Sequence, residues 1–187
     1  MASSSPRRSA VKLRILMVCM GNICRSPTAE AVLRHRLLRH GLADRVELDS
    51  AGTQAYHVGK SPDERSIAHA ARRGYDLSTL QARKVVDGDF ETFDLILAMD
   101  NDNLRELMER CPEELQGRIH RFMDFAPEGL PQAVPDPYYG GAAGFERVLD
   151  LIEVTCDGLI ARLYPVEPSE PAVGGEPEPV TDSPIID

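Results

Sequence analysis

An apolar run at positions 13–18, broken only by Arg14, ends in the segment Cys19-Met20-Gly21-Asn22-Ile23-Cys24-Arg25-Ser26-Pro27. A short, nearly all-apolar strand is what a sheet covered on both faces requires. Ser26-Pro27 reads as a helix start, with Ser at the N-cap and Pro at the first helical position. The chain therefore passes from a buried strand into a helix N-terminus through a few residues. Such a turn converges backbone N–H groups on one point and makes an anion site. Gly21 permits close backbone approach, and Asn22 is one of the few non-glycine residues that tolerates a left-handed conformation.

The rest of the chain alternates in the same way. The first helix runs toward Gly41 with Ala31, Leu33, Leu37 and Leu38 on its apolar side, and residues 46–50 form a second short strand. Ser61-Pro62-Asp63-Glu64 reads as a capping box opening a helix that stops at Gly74. Residues 93–99 form a third strand, a helix follows over 101–110, and residues 118–122 form a fourth strand. Phe145, Val148, Leu149, Ile152, Cys156, Leu159, Ile160 and Leu163 recur at helical spacing in a final amphipathic helix over 144–164. The expected fold is α/β: three layers, a four-stranded parallel sheet with helices on both faces, and a phosphate-binding loop after strand 1. Ligands of such folds sit beyond the carboxyl ends of the strands.

Charge and composition bound the domain. Residues 165–187 hold six of the 14 prolines and six acidic residues without Lys or Arg, and so carry most of the net charge of −9. This tail and residues 1–12 are expected to be disordered, leaving one domain over 13–164. The acidic balance argues against a nucleic-acid or anionic-membrane partner. No apolar run is long enough to span a bilayer. Arg7, Arg8 and Lys12 before the first strand resemble a secretion signal, but the apolar run is too short and lacks a cleavage site. Cys19, Cys24, Cys111 and Cys156 are too few and scattered for a disulfide scaffold, so reduced, cytoplasmic thiols are expected. Five scattered histidines and no paired-cysteine motif give no metal signature.

The chemistry follows from the first loop. Arg25 offers a planar fork of donors to two phosphate oxygens. Cys19 at the mouth of this positive site is stabilised as a thiolate, and the Ser26 hydroxyl can donate to the sulfur. Attack of that thiolate on the phosphorus of a bound phosphate ester is the reaction these groups suit. The leaving oxygen must be protonated as the P–O bond breaks. Asp136, confined between Pro135 and Pro137 in Val134-Pro135-Asp136-Pro137-Tyr138-Tyr139-Gly140-Gly141, is the candidate acid, with Tyr138 and Tyr139 able to wall a pocket for an aromatic group.

In these motifs the chain resembles the low-molecular-weight protein tyrosine phosphatases, over about residues 13–164. The family's Cys-x5-Arg-Ser loop with Gly-Asn inside appears as CMGNICRSP, and its late acid loop as DPYYG. The resemblance implies Cys19 as nucleophile, Arg25 as phosphate clamp, and Asp136 as general acid and then base for hydrolysis of a phosphocysteine. It implies Met20, Gly21, Asn22, Ile23, Cys24 and Ser26 as the phosphate loop, no cofactor or metal, and phosphotyrosine-containing proteins as substrates of a monomer or weak dimer. Ile23 stands where protein-arginine phosphatases of this fold carry threonine, which favours phosphotyrosine. Tyr56-His57, in a stretch most like bacterial members, matches the variable loop beside the pocket. Cys24 resembles the family's second loop cysteine, which can form a reversible disulfide with the nucleophile, whereas Cys111 and Cys156 read as structural. Ser50 matches a serine that supports the strained Asn. The chain departs from the family at residues 78–83, where a frequent histidine is missing, and at Pro135, which replaces a frequent acidic residue.

Two other readings stay open at this level. A thioredoxin-linked arsenate reductase shares the loop but needs two closely spaced downstream cysteines, whereas Cys111 and Cys156 lie far apart. A phosphotyrosine-binding module without turnover would not need Cys19, Arg25 and Asp136 together.

Overall fold

A computed structural model describes residues 11–166. Most of the expected terminal segments, residues 1–10 and 167–187, lie outside the described residues. Four strands, β1 (Leu13–Cys19), β2 (Val46–Gly52), β3 (Leu95–Ala98) and β4 (Ile119–Arg121), form one parallel sheet in the order β2-β1-β3-β4. Five helices accompany them: α1 (Arg25–Arg39), α2 (Glu64–Arg72), α3 (Asp89–Thr92), α4 (Asn101–Arg110) and α5 (Ala142–Leu163).

Side-chain alternation along β1 builds the layers. Ile15 and Met17 join Ala29, Val32, Leu33 and Leu37 of α1 and Val148, Ile152 and Leu159 of α5 in one core cluster. Leu16 and Val18 face the other way, onto Phe90 of α3, Leu107 of α4, and Ile96 and Ala98 of β3. With both faces covered, the strands have no reason to alternate polar and apolar, which explains the continuous run in the sequence. The chain leaves β1 toward β2 and later crosses back to β3 on the other side of β1. The switch point lies between the carboxyl ends of β1 and β3, and it opens a crevice there.

Several boundaries differ from expectation. Ser26 is not the N-cap: Cys24 occupies that position without a side-chain cap, and Pro27 is the third helical residue. Proline is tolerated there because first-turn N–H groups lack helical acceptors anyway. The Ser26 hydroxyl is engaged with Cys19 instead. Asp63, not Ser61, caps α2, accepting from the Arg65 N–H at 2.9 Å. Leu38 is exposed rather than apolar-side core. The third strand covers only Leu95–Ala98, and α3 had no clear periodic signal at four residues.

α5 packs so closely on the segment after β4 that a Cβ at Gly158 would overlap the Phe125 carbonyl oxygen. Helix propensity alone favours Gly158→Ala by up to ~1 kcal/mol, but overpacking against rigid backbone costs about 1–3 kcal/mol. The steric effect is expected to win. Gly158→Ala should lower Tm in a thermal melt by a few degrees, and a rise would show that the α5 contact yields freely.

Candidate active site

The loop from β1 to α1 lies in the crevice, and its shape depends on Asn22. Asn22 is the one non-glycine among the described residues with positive φ, at 55°. Its side chain is fully used: Nδ2 donates to Ser26 Oγ at 2.8 Å and to Ser50 Oγ at 2.9 Å, and Oδ1 accepts from the Arg83 N–H at 3.0 Å. Without a histidine in the 78–83 region, Asn22 is braced by the Arg83 N–H of that region together with Ser26 and Ser50. The loop is also clamped from β2. Thr53 N–H donates to the Cys19 carbonyl and Gln54 N–H to that of Met20, both at 2.9 Å. Gly52 is obligatory there, because a Cβ would lie 2.6 Å from the Met20 carbonyl oxygen.

This turn aims polar hydrogens at the Cys19 sulfur. Ser26 Oγ lies 3.0 Å from Sγ, and the Asn22 N–H donates to Sγ at 3.3 Å. Ser26 Oγ accepts from Asn22, and its own hydrogen has two acceptors in reach, the sulfur at 3.0 Å and the Ala51 carbonyl at 3.5 Å. Arg25, almost fully buried, donates through Nη1 to Asp100 Oδ2 at 2.6 Å and to the Val134 carbonyl at 3.1 Å, while Nη2 lies 3.7 Å from Asp136 Oδ2. Burial opposes its charge, but the Cys19 sulfur and the Asp100 hydrogen bond and charge outweigh that and hold the guanidinium above its ordinary value. Val134 N–H donates to the Met99 carbonyl at the end of β3. This anchors the segment bearing Asp136 over the crevice.

A cavity of about 310 Å³ opens here. Cys19, Gly21, Ile23, Cys24 and Arg25 form its floor, with Met20 at the edge. Tyr56, His57, Asp136, Tyr138 and Tyr139 also line it. Asn22 and Ser26 lie beneath the floor, buried, and act through the loop. Tyr138 is 37% exposed, whereas Tyr56 and Tyr139 are 71% and 91% exposed, so only Tyr138 forms a partly covered wall. Tyr138 lies 6.3 Å from the His57 ring, and Tyr139 meets it edge-on. The Asp136 carboxylate is held by the Tyr138 N–H at 3.0 Å.

Residues 14–166 match the family described as low molecular weight phosphotyrosine protein phosphatase. The chain belongs to this family. It is 44% identical over 153 residues to the low molecular weight protein-tyrosine-phosphatase of Streptomyces coelicolor, covering 80% of this chain and 93% of that one. It is 35% identical over 152 residues to the human low molecular weight phosphotyrosine protein phosphatase, covering 80% and 95%. A protein tyrosine phosphatase from Entamoeba histolytica, solved with Hepes in its active site, superposes with a TM-score of 0.79 at 46% identity, over 81% of this chain and 97% of that one.

As a low-molecular-weight phosphatase, the chain has further site residues that sequence reasoning missed. Asp100 was legible as an N-cap after a strand, and its Oδ1 does accept from the Asn103 N–H at 2.8 Å. Its second oxygen, on Arg25, had no local signal. The cysteines divide cleanly. All four are free, and Cys111 and Cys156 lie in the two core clusters away from the cavity. Burial pushes the Cys24 thiol up to about 12, against a hydrogen bond from Ser66. Cys24 therefore stays protonated beside Cys19.

Glu30, one turn beyond Ser26, was also missed. It is 2% exposed, its Oε2 has no hydrogen-bond partner, and Arg34 Nη2 is 3.6 Å away. Burial raises its carboxyl to about 7, partly offset by the Arg34 charge and a Ser50 hydrogen bond. From about pH 4.5 upward the unfolded chain ionises this group while the folded chain does not, so stability falls until pH 7. The total is about 3 kcal/mol for a shift of this size. Glu30→Gln should remove that part of the slope: its stability by urea melts should fall less than wild type between pH 5 and 7.5. Parallel curves would mean that Glu30 ionises normally.

Proposed function

We propose that the chain hydrolyses phosphotyrosine in proteins through a phosphocysteine on Cys19. The observation that carries this reading is the placement of Cys19 Sγ, Arg25 and Asp136 around one cavity, with an aromatic wall at Tyr138. The loop N–H groups and Arg25 hold the phosphoryl oxygens, and the Arg25 charge balances what develops there in transfer. Cys19 attacks phosphorus in line as the ester P–O bond breaks, and Asp136 gives its proton to the leaving tyrosine oxygen. Water then attacks the phosphocysteine, Asp136 takes its proton, and phosphate leaves with the thiolate restored. Ser26 and the Asn22 N–H stabilise the sulfur anion at the start and end of this cycle.

Preference for phosphotyrosine over phosphoarginine is supported by the apolar Ile23 in the floor and by Tyr138 and His57 at the wall. Among the described residues no helix is long and apolar enough to cross a membrane. A nucleophile that must stay reduced suits the cytoplasm, and the likeness to bacterial relatives such as that of Streptomyces coelicolor supports a bacterial protein. We take it to act as a monomer or weak dimer on phosphoproteins.

The test is hydrolysis in EDTA of an aryl phosphate and of phosphotyrosine, phosphoserine and phosphoarginine peptides. Cys19→Ser should abolish turnover, and Asp136→Ala should cut it on the order of 10²–10⁴-fold. Turnover led by phosphoarginine would overturn the substrate assignment and leave the cysteine chemistry standing. No turnover of any ester under reducing conditions would sink the enzymatic reading.

A further inference from the structure

Asp136 must meet the leaving oxygen from a segment without regular structure. Within residues 134–141, Val134 is anchored to β3, but Pro135 and Pro137 lack N–H groups, and the Tyr138 N–H is spent on Asp136 itself. Among the described residues, one hydrogen bond ties the main chain of 135–140 to another element. Arg65 Nη2 of α2 donates to the Tyr138 carbonyl at 3.0 Å.

Arg65 is itself fixed from three sides. Asp63 takes its Nε at 3.0 Å and its Nη2 at 2.9 Å, a two-point fork that sets the plane of the guanidinium. That plane lies over the Phe145 ring at 4.8 Å and the Tyr138 ring at 5.5 Å. Asp63 in turn donates its N–H to the Ile23 carbonyl, in the phosphate loop, at 2.8 Å. A continuous chain of contacts therefore runs from the phosphate loop through Asp63 and Arg65 to the peptide of Tyr138, whose N–H holds the Asp136 carboxylate.

We propose that Arg65 is a positioning residue for the general acid, fixing the Tyr138 peptide so that Asp136 stands at a set distance from the phosphate loop. This rests on the assignment of Asp136 as the acid. Arg65 touches no reacting atom in this scheme. The floor of the site is held separately by Asn22, Ser50 and Gly52, so Arg65 reaches the reaction through the Tyr138 peptide and ring. Lysine cannot substitute fully, since one ammonium cannot make the fork to Asp63, stack on two rings and reach the carbonyl together.

The experiment compares kcat/KM for phenyl phosphate, whose phenoxide leaves poorly without a proton, and 2,4-dinitrophenyl phosphate, whose anion leaves unaided. Arg65→Met should lose about 10- to 100-fold on phenyl phosphate, the scale of a misplaced catalytic group, and less than about 2-fold on the dinitrophenyl ester. In an Asp136→Ala background it should add almost nothing to the phenyl phosphate loss. Arg65→Lys should show the same pattern at smaller size, and it carries the test if the Met variant does not fold. Equal losses on both esters, losses that add to Asp136→Ala, or no loss would overturn the positioning role. Should Asp136→Ala itself treat the two esters alike, the acid assignment falls and the proposal with it, an outcome distinct from failure of Arg65 alone.

Discussion

The left-handed turn at Asn22 is the constraint on which the site depends. A non-glycine residue held at φ 55° costs of order 1–3 kcal/mol and persists only where its surroundings determine it. Here they do, through two side-chain donations and one acceptance spread over α1, β2 and the 82–84 segment. The turn brings the Asn22 N–H onto the Cys19 sulfur and sets the Ser26 hydroxyl 3.0 Å from it. Glycine at 22 would adopt the same φ freely, but would lose all three side-chain bonds. The same residue thus supplies the geometry and the means of holding it.

A second constraint is the burial of Arg25. A guanidinium out of water is costly without partners, and Asp100 and the Val134 carbonyl answer on one nitrogen. Because both partners sit at the end of β3, the sheet itself aims the arginine. Those contacts occupy Nη1, while the 3.7 Å approach of Asp136 is to Nη2. A structural half and a free half of the fork are therefore distinct, and the free half is the one turned toward Asp136.

Much of this was legible in the chain. The apolar run 13–18, the Cys-Met-Gly-Asn segment and the Asp136 loop carry strong local signals, because strand burial, positive φ and proline confinement each select particular residues. Fold class and the Cys19, Arg25 and Asp136 candidates follow from those signals, whereas Tyr56 and His57 follow only from the family resemblance. Less visible was whatever depends on distant pairing. Ser26 looks like an N-cap by local rules, yet the tertiary demand of the Cys19 sulfur takes its hydroxyl. Asp100 and Arg83 act across 75 and 61 residues of sequence. Glycine 52 shows nothing locally of the carbonyl that its missing Cβ admits.

The contrast between Cys19 and Cys24 shows how one turn separates two identical groups. Both thiols are buried and five residues apart, and of the backbone between them the Asn22 N–H donates to the Cys19 sulfur. Cys19 Sγ accepts the Asn22 N–H, shares a hydrogen bond with the Ser26 hydroxyl and lies beside a buried cation. Cys24, at the helix N-cap position, faces Ser66, Asp63 and the apolar cluster of Ile23, Ala82 and Phe145, where burial outweighs the one hydrogen bond. A helix N-terminus by itself would favour both thiolates. The turn therefore sets the two thiols in different surroundings, Cys19 against hydrogen-bonding groups and Cys24 among apolar side chains.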